Sequence, residues 1–326
     1  KIPTAGYAFF GAVFLSSPLI SEVFTYFLHN GIAIGYLCCG ISLCCVREWQ
    51  SSTRKMQKGS GIRQKLGCLA VAKILTAAVF LWIAMGCYES FMILWLAGLM
   101  LLLLTERIAR GRQEKDIFAT LAAGAVAALV AIVLRSVMIV VVTKAFHLEY
   151  LRGEAVQRSV TEMLGWMLQP GAFGELAMIL KRTFVLYGVF AYAYLPIRIF
   201  ILSAAVILVV TLMRVIRGRD LWALLLLPAA YLAAFSLLFI EGKATLYRSA
   251  QFLPVFCGYG ALLFVYGIWQ LTGTLAPKAK NTAGRKISAG VRALAVLVLA
   301  VILWNQCMDM TRWFYIDKKK YDAAVK

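Results

Sequence analysis

The chain has 326 residues, 62% of them apolar and 15% charged, with a formal net charge of +19. A soluble domain averages about half apolar and a quarter charged, so with a mean hydropathy of +0.81 this composition excludes soluble enzymes, secreted disulfide scaffolds and disordered tails, and points to a chain dissolved in lipid. Its basic excess lies in short stretches between apolar blocks, the distribution of a topology signal, and nucleic acid is excluded as a partner.

An apolar block is under way by Ala5, without the basic region and small-residue cleavage site of a signal peptide, so a segment upstream of Lys1 is expected. Apolar blocks then predict about nine spans, near 5–17, 23–46, 66–85, 88–104, 117–143, 197–216, 221–240, 252–271 and 292–306. The fold class is therefore all-α, a polytopic transmembrane helical bundle. The loop 47–65 carries Arg47, Arg54, Lys55, Lys58, Arg63 and Lys65, and the loop 105–116 carries Arg107, Arg110, Arg112 and Lys115. Arg214, Arg217 and Arg219 form a third basic group, and Lys278, Lys280, Arg285, Lys286 and Arg292 a fourth. Every second loop is basic, which places these loops in the cytoplasm. The segments 16–22, 86–90, 144–196, 241–251 and the tail from Asn305 are then extracytoplasmic. The chain thus reads as a bundle over 1–306, with an outer insertion at 144–196, and an outer tail at 307–326.

Within the insertion, 149–168 has Leu151, Ala155, Val156, Val160, Met163, Leu164 and Met167 near helical spacing with charges between them. That pattern predicts an amphipathic helix on the outer surface, stopped by Gln169, Pro170 and Gly171. The stretch 183–195 is apolar but too short to span, and counting it as a span would put Arg214, Arg217 and Arg219 outside; it reads as interfacial or re-entrant, with irregular backbone. In the tail, Trp313, Phe314 and Tyr315 belong at an interface, and Lys318, Lys319 and Lys320 in water.

Ionisable residues at membrane depth are the candidates for chemistry, because they are expensive there unless paired or facing a cavity. Arg135, in the outer half of its span, either snorkels outward or lines an anion-binding cavity; Lys73 snorkels inward. Tyr88 and Glu89 sit on a short outer turn, where they orient a substrate hydroxyl or form a polar hairpin tip. Glu22 is a helix cap favoured by the dipole or a catalytic carboxylate. Lys243 and Arg248 lie on a short outer loop with no topological need for basic charge, and Arg248 can grip a phosphate at headgroup depth or a lipid headgroup. Arg198, after Pro196, can join it.

Other features read as packing: Gly31 and Gly35 in GxxxG spacing, the small residues of 119–131, and Cys38, Cys39, Cys44 and Cys45, which have neither disulfide nor metal spacing. There is no HExxH, GxGxxG or Walker A pattern, and His29 and His147 make no metal site, so no metal ligand and no nucleotide is expected.

The stretch from Ser17 to Glu22 (SPLISE) with Phe24, Thr25 and Tyr26, then Gly86, Cys87, Tyr88, Glu89 and Ser90 between two helices, resembles the bacterial Gtr type II glucosyltransferase family of the GT-C superfamily. The run from Arg248 to Pro254 (RSAQFLP) and the tail residues Trp313 to Asp317 (WFYID), with Lys320, Tyr321 and Asp322, are similar as well. The family pattern has Gln where this chain has Glu89. The resemblance spans most of the chain, though each motif is short. It implies a GT-C-like bundle in the bacterial cytoplasmic membrane, among membrane lipids, with its active face extracytoplasmic. The activity implied is transfer of a sugar from a polyprenyl-phosphate donor to an acceptor glycan, such as O-antigen or wall polysaccharide. On this view Arg248, Lys243 and Arg198 bind the donor phosphate, Tyr88 and Arg135 the substrate, and Glu22 or Glu89 is the catalytic carboxylate; no cofactor is implied besides the lipid-linked donor, and a divalent metal is left open.

One departure stands out. Enzymes of the superfamily carry a catalytic acid in the first outer loop after the first helix, and here the five Asp are Asp116, Asp220, Asp309, Asp317 and Asp322, in basic loops or the tail. Either the base lies upstream of Lys1 or one of the two glutamates replaces it. The rival readings are a lipid-linked glycan transporter or flippase, which calls for paired ionisable residues or broken helices in both halves, and a polysaccharide polymerase or ligase, favoured by Arg152, Arg158 and Arg182 in the insertion.

Overall fold

A computed structural model of the chain describes residues 2–17, 20, 30–58, 63–110, 114–147, 165–189, 195–218, 220–241, 251–275 and 282–325, and all regular structure among them is helical. The α-helices are α1 (Thr4–Leu15), α2 (Asn30–Lys58), α3 (Arg63–Cys87), α4 (Phe91–Arg110), α5 (Glu114–Ala145), α6 (Ala172–Val189), α7 (Leu195–Gly218), α8 (Leu221–Ala234), α9 (Ser236–Glu241), α10 (Phe252–Leu275) and α11 (Thr282–Val325). Among the described residues, 7 helices are long and apolar enough to cross a membrane: α2, α3, α4, α5, α7, α10 and α11. The chain is an all-α polytopic membrane protein.

Two expected spans take a different form. The block 5–17 is the helix α1 of 12 residues, about 18 Å at 1.5 Å per residue and well short of a hydrocarbon core of about 30 Å. The block 221–240 is divided at Phe235 between α8, which contains Pro228, and the six-residue α9. Proline removes one helical hydrogen bond, and the Ser236 hydroxyl donates to the Ala233 carbonyl at 2.7 Å beside the break.

Helices also outrun their apolar blocks. The expected basic loop 47–65 is mostly the end of α2 and the start of α3, and the expected tail 307–326 continues α11 to Val325. Hydropathy marks the lipid-immersed part of a helix, whereas the backbone ladder closes equally well beyond it. Similarly, 183–189 is the regular last part of α6, not irregular backbone. The amphipathic helix expected at 149–168 lies outside the described residues up to 164; its end is a 3-10 turn, Trp166–Leu168, after which Gln169 is extended and Gly171 has φ 91. A positive φ is tolerated by glycine, which has no Cβ to clash, so the expected stop is where the chain turns.

The chain forms two compact units. One comprises residues 28–180 and 225–245, with α2, α3, α4 and α5 at its centre. Its closest approach is at Gly35, where an added Cβ would overlap the Phe91 ring, and Phe91 and Trp95 are buried at 0% and 1% exposure. The alanines of α5 at helical spacing, Ala123, Ala127 and Ala131, are buried too, and Gly124 lies against Leu99 and Trp95. Small residues let helix axes approach where lipid offers no hydrophobic drive. A polar relay fastens the same region: Trp95 Nε1 donates to Ser42 Oγ at 2.9 Å, and Ser42 Oγ donates to the Ala77 carbonyl at 2.7 Å. Near the basic end, Arg47 pairs with Glu106 at 3.1 Å and Lys73 with Glu48 at 3.0 Å; Lys73, expected to snorkel, is held by a carboxylate.

The other unit comprises residues 1–27, 181–224 and 246–326, built from α1, α7, α10 and α11. Here α10 is central. Its Gly258 faces the Phe10 carbonyl, and its Gly260 is so close to Ser203 that a Cβ would overlap it. The register, with Gly6 against Leu262 and Gly258 against Phe10, makes α1 antiparallel to α10, while Gly260 on Ser203 and Gly267 against Val210 make α7 parallel to it.

Candidate functional site

The first cluster is on the turn between α3 and α4. The Tyr88 N–H closes the end of α3 on the Ala84 carbonyl at 3.1 Å, and the N–H groups of Phe91 and Met92 return to the carbonyls of Tyr88 and Glu89 at 3.1 and 3.2 Å. The turn is therefore fixed by its own backbone and anchored from below by buried Phe91. Arg135 of α5 donates from Nη2 to Glu89 Oε1, with the arginine side chain 27% exposed and the glutamate 75%. A guanidinium from one helix thus meets a carboxylate on the turn between two others. Beside it, Ser90 is buried and its Oγ has no hydrogen-bond partner among the described residues.

The second cluster belongs to the other unit. Arg198 is exposed in the first turn of α7 and has no acidic partner among the described residues. The Phe200 and Phe252 rings, 6.3 Å apart, bring the start of α7 to the start of α10, and the antiparallel α1 brings Ser16 and Ser17 to the same end. There Ser16 Oγ donates to Gln306 Oε1 of α11 at 2.8 Å. Ser16, Ser17, Gln251 and Gln306 are all buried, so four uncharged polar side chains gather at the end of the unit that bears Arg198.

Tyr88, Glu89 and Arg135 are therefore brought together, and Arg198 stands in the other unit. Glu22, Lys243 and Arg248 lie outside the described residues. Ser16 and Gln306 carry no charge to single them out, and Gln251 is visible only within the run RSAQFLP; uncharged amides and hydroxyls embedded in apolar blocks are the signal for all three. Among the described residues no three of His, Cys, Asp and Glu come together as a metal site.

Fold and clusters define a polytopic, all-helical membrane protein whose polar chemistry is concentrated at helix ends. The family model described as Glucosyl transferase GtrII matches residues 3–265. The chain belongs to that family, which makes it a membrane glucosyltransferase. The match includes the Glu89 turn, Arg135 and Arg198 and ends within α10, so α11 with Gln306 lies beyond it. No curated protein and no solved structure matches the chain.

Proposed function

We propose that this glucosyltransferase takes its sugar from a polyprenyl-phosphate donor and delivers it to a cell-surface glycan, such as O-antigen or wall polysaccharide, on the extracytoplasmic face of the bacterial cytoplasmic membrane. The observation that carries the reading is the Arg135–Glu89 pair, a carboxylate held in a fixed direction on an interhelical turn. In this reaction an acceptor hydroxyl attacks the anomeric carbon, the bond from that carbon to the phosphate oxygen breaks, and the electron pair leaves with polyprenyl phosphate. Glu89, which stands where the family pattern has Gln, takes the hydroxyl proton in this chain, Arg135 keeps its carboxylate aimed, and Tyr88 on the same turn contacts the acceptor. Arg198, with Arg248 and Lys243, forms the set of cations proposed for the phosphate of the donor. The positive-inside pattern supports the extracytoplasmic face, because Arg47, Arg107, Arg214 and Arg217 belong to the opposite helix ends. No cofactor enters the scheme.

The test is transfer of labelled glucose from polyprenyl-phosphate glucose to an acceptor glycan by the protein in proteoliposomes. Glu89→Gln introduces the residue of the family pattern, and because Gln cannot accept the proton it should lower turnover in this chain by about 10²–10⁴, the usual contribution of a general acid or base. Turnover unchanged by that substitution would remove Glu89 from the chemistry, and movement of intact donor across the bilayer with no glycan product would replace the transferase reading by a translocator.

A further inference from the structure

The unit built on α1, α7, α10 and α11 contains a cavity of about 170 Å³. Its walls include Val13 of α1, Ile199, Leu202 and Val206 of α7, Ala261 of α10 and Val298 of α11. The polar side chain in the wall, Ser203, donates its hydroxyl to the Cys257 carbonyl at 3.3 Å, so the interior offers nothing to a headgroup or a sugar. It is made for hydrocarbon. An apolar cavity of about 150 Å³ stays dry and admits a six-carbon ring, so this one accommodates a five-carbon branched unit.

The cavity reaches the end of the unit that carries charge. Ile199, Leu202 and Val206 repeat at helical spacing along α7, and Arg198 stands one turn before Leu202 on the same side of the helix. Arg198 is exposed and has no acidic partner among the described residues. A guanidinium with no acidic partner among the described residues, next to a carbon-lined cavity, complements one kind of molecule, an anion carrying a hydrocarbon chain.

We infer that this cavity holds the first isoprenoid unit of the donor lipid, with the phosphate on Arg198 and the sugar directed to the buried polar group of Ser16, Ser17, Gln251 and Gln306 beside it. This rests on the reading of the donor as a polyprenyl-phosphate sugar. The small residues of α10 acquire a function from it. Gly260 draws α10 onto Ser203 of α7, while Ala261 next to it leaves room that a larger side chain would fill.

The experiment compares two donors, glucose on a long-chain polyprenyl phosphate and glucose on methyl phosphate, which has no isoprene unit to place in the cavity, in proteoliposomes of defined phosphatidylethanolamine and phosphatidylglycerol. Wild type should favour the long chain in kcat/KM. Val206→Phe, which fills the cavity, should shrink that preference about tenfold or more, since several buried carbons lose their contacts. Leu208→Phe, at an exposed position of α7 outside the cavity wall, should leave the preference unchanged. A preference unaltered by Val206→Phe would overturn the cavity assignment while leaving the donor class intact, whereas no transfer from either donor would overturn the donor class itself. A photoactivatable polyprenyl phosphate on the wild-type protein guards against a variant that fails to fold: labelling of α7 and α10 peptides around Leu202 and Ala261, competed by polyprenyl phosphate, supports the site. Labelling there that is competed equally by phosphatidylglycerol would make the cavity an ordinary acyl-chain site.

Discussion

The two units solve the problem of packing helices in lipid by different means. In the unit of α2, α3, α4 and α5, apolar close packing is reinforced by directional polar ties: Trp95 to Ser42 to Ala77, Arg47 to Glu106, Lys73 to Glu48 and Arg135 to Glu89. In the unit of α1, α7, α10 and α11, the approach is set by glycines, with Gly258 facing a backbone carbonyl and Gly260 against Ser203, and next to the tightest contact a cavity is left open. Paired charges give the first unit a fixed carboxylate. In the second, Arg198 has no acidic partner among the described residues and stands near an apolar hollow, the arrangement proposed above for an amphiphilic anion. Both are polytopic helix packing, yet one arrangement suits aiming a proton acceptor and the other suits holding a lipid phosphate.

The largest effect expected from breaking this contrast is at Glu89. Its substitution by Gln should cost about 10²–10⁴ in turnover, while thermal unfolding in detergent should move by less than about 1 kcal/mol, because an exposed ion pair contributes little to stability. A large loss of stability would make the pair structural. Next is Arg198→Ala: losing a charged hydrogen bond of about 1.5–3 kcal/mol should raise KM for the polyprenyl-phosphate donor about tenfold or more with turnover reduced less, and an unchanged KM would take the phosphate away from α7.

Packing changes follow. Gly260→Ala forces a Cβ into Ser203 and Gly35→Ala forces one into the Phe91 ring, so each should destabilise by about 1–3 kcal/mol, the usual cost of overpacking. Thermal melts would check both, and a smaller shift for Gly260→Ala would mean that α7 yields toward the neighbouring hollow more easily than Phe91 yields in the denser unit. The smallest effect is expected for Ser42→Ala, which leaves the Trp95 indole N–H without its acceptor. It should cost about 1–2 kcal/mol in the same melts, near the upper end for polar contacts between membrane helices, and no shift at all would show that the relay contributes nothing to helix association.

The candidate residues Arg135, Tyr88 and Glu89 were readable because charge in an apolar block is conspicuous. Arg135 and the Tyr88–Glu89 turn stood out separately, since each interrupts long runs of Leu, Val and Ala, but nothing in their spacing joins residues 46 positions apart; the pairing follows from α5 packing alongside the helices that flank the turn. Ser16, Gln251 and Gln306 were less visible, because a hydroxyl or amide scarcely lowers local hydropathy. The cavity left no local mark, being produced by the relative sizes of Val206, Gly260, Ala261 and Val298 on three helices.

The sequence by itself determined that this is a polytopic helical membrane protein, where the 7 long apolar helices lie, and which family its motifs belong to. Those properties follow from local hydropathy and short motifs, and each residue contributes to them wherever its neighbours in space lie. Tertiary structure alone decided that α8 and α9 divide one expected span, that helices extend into the expected basic loops as far as Lys58 and Arg110, that Arg135 finds Glu89, and that an apolar hollow lies near Arg198. Each of these depends on the register of one helix on another, which is set by side-chain volume and close approach across residues far apart in the chain.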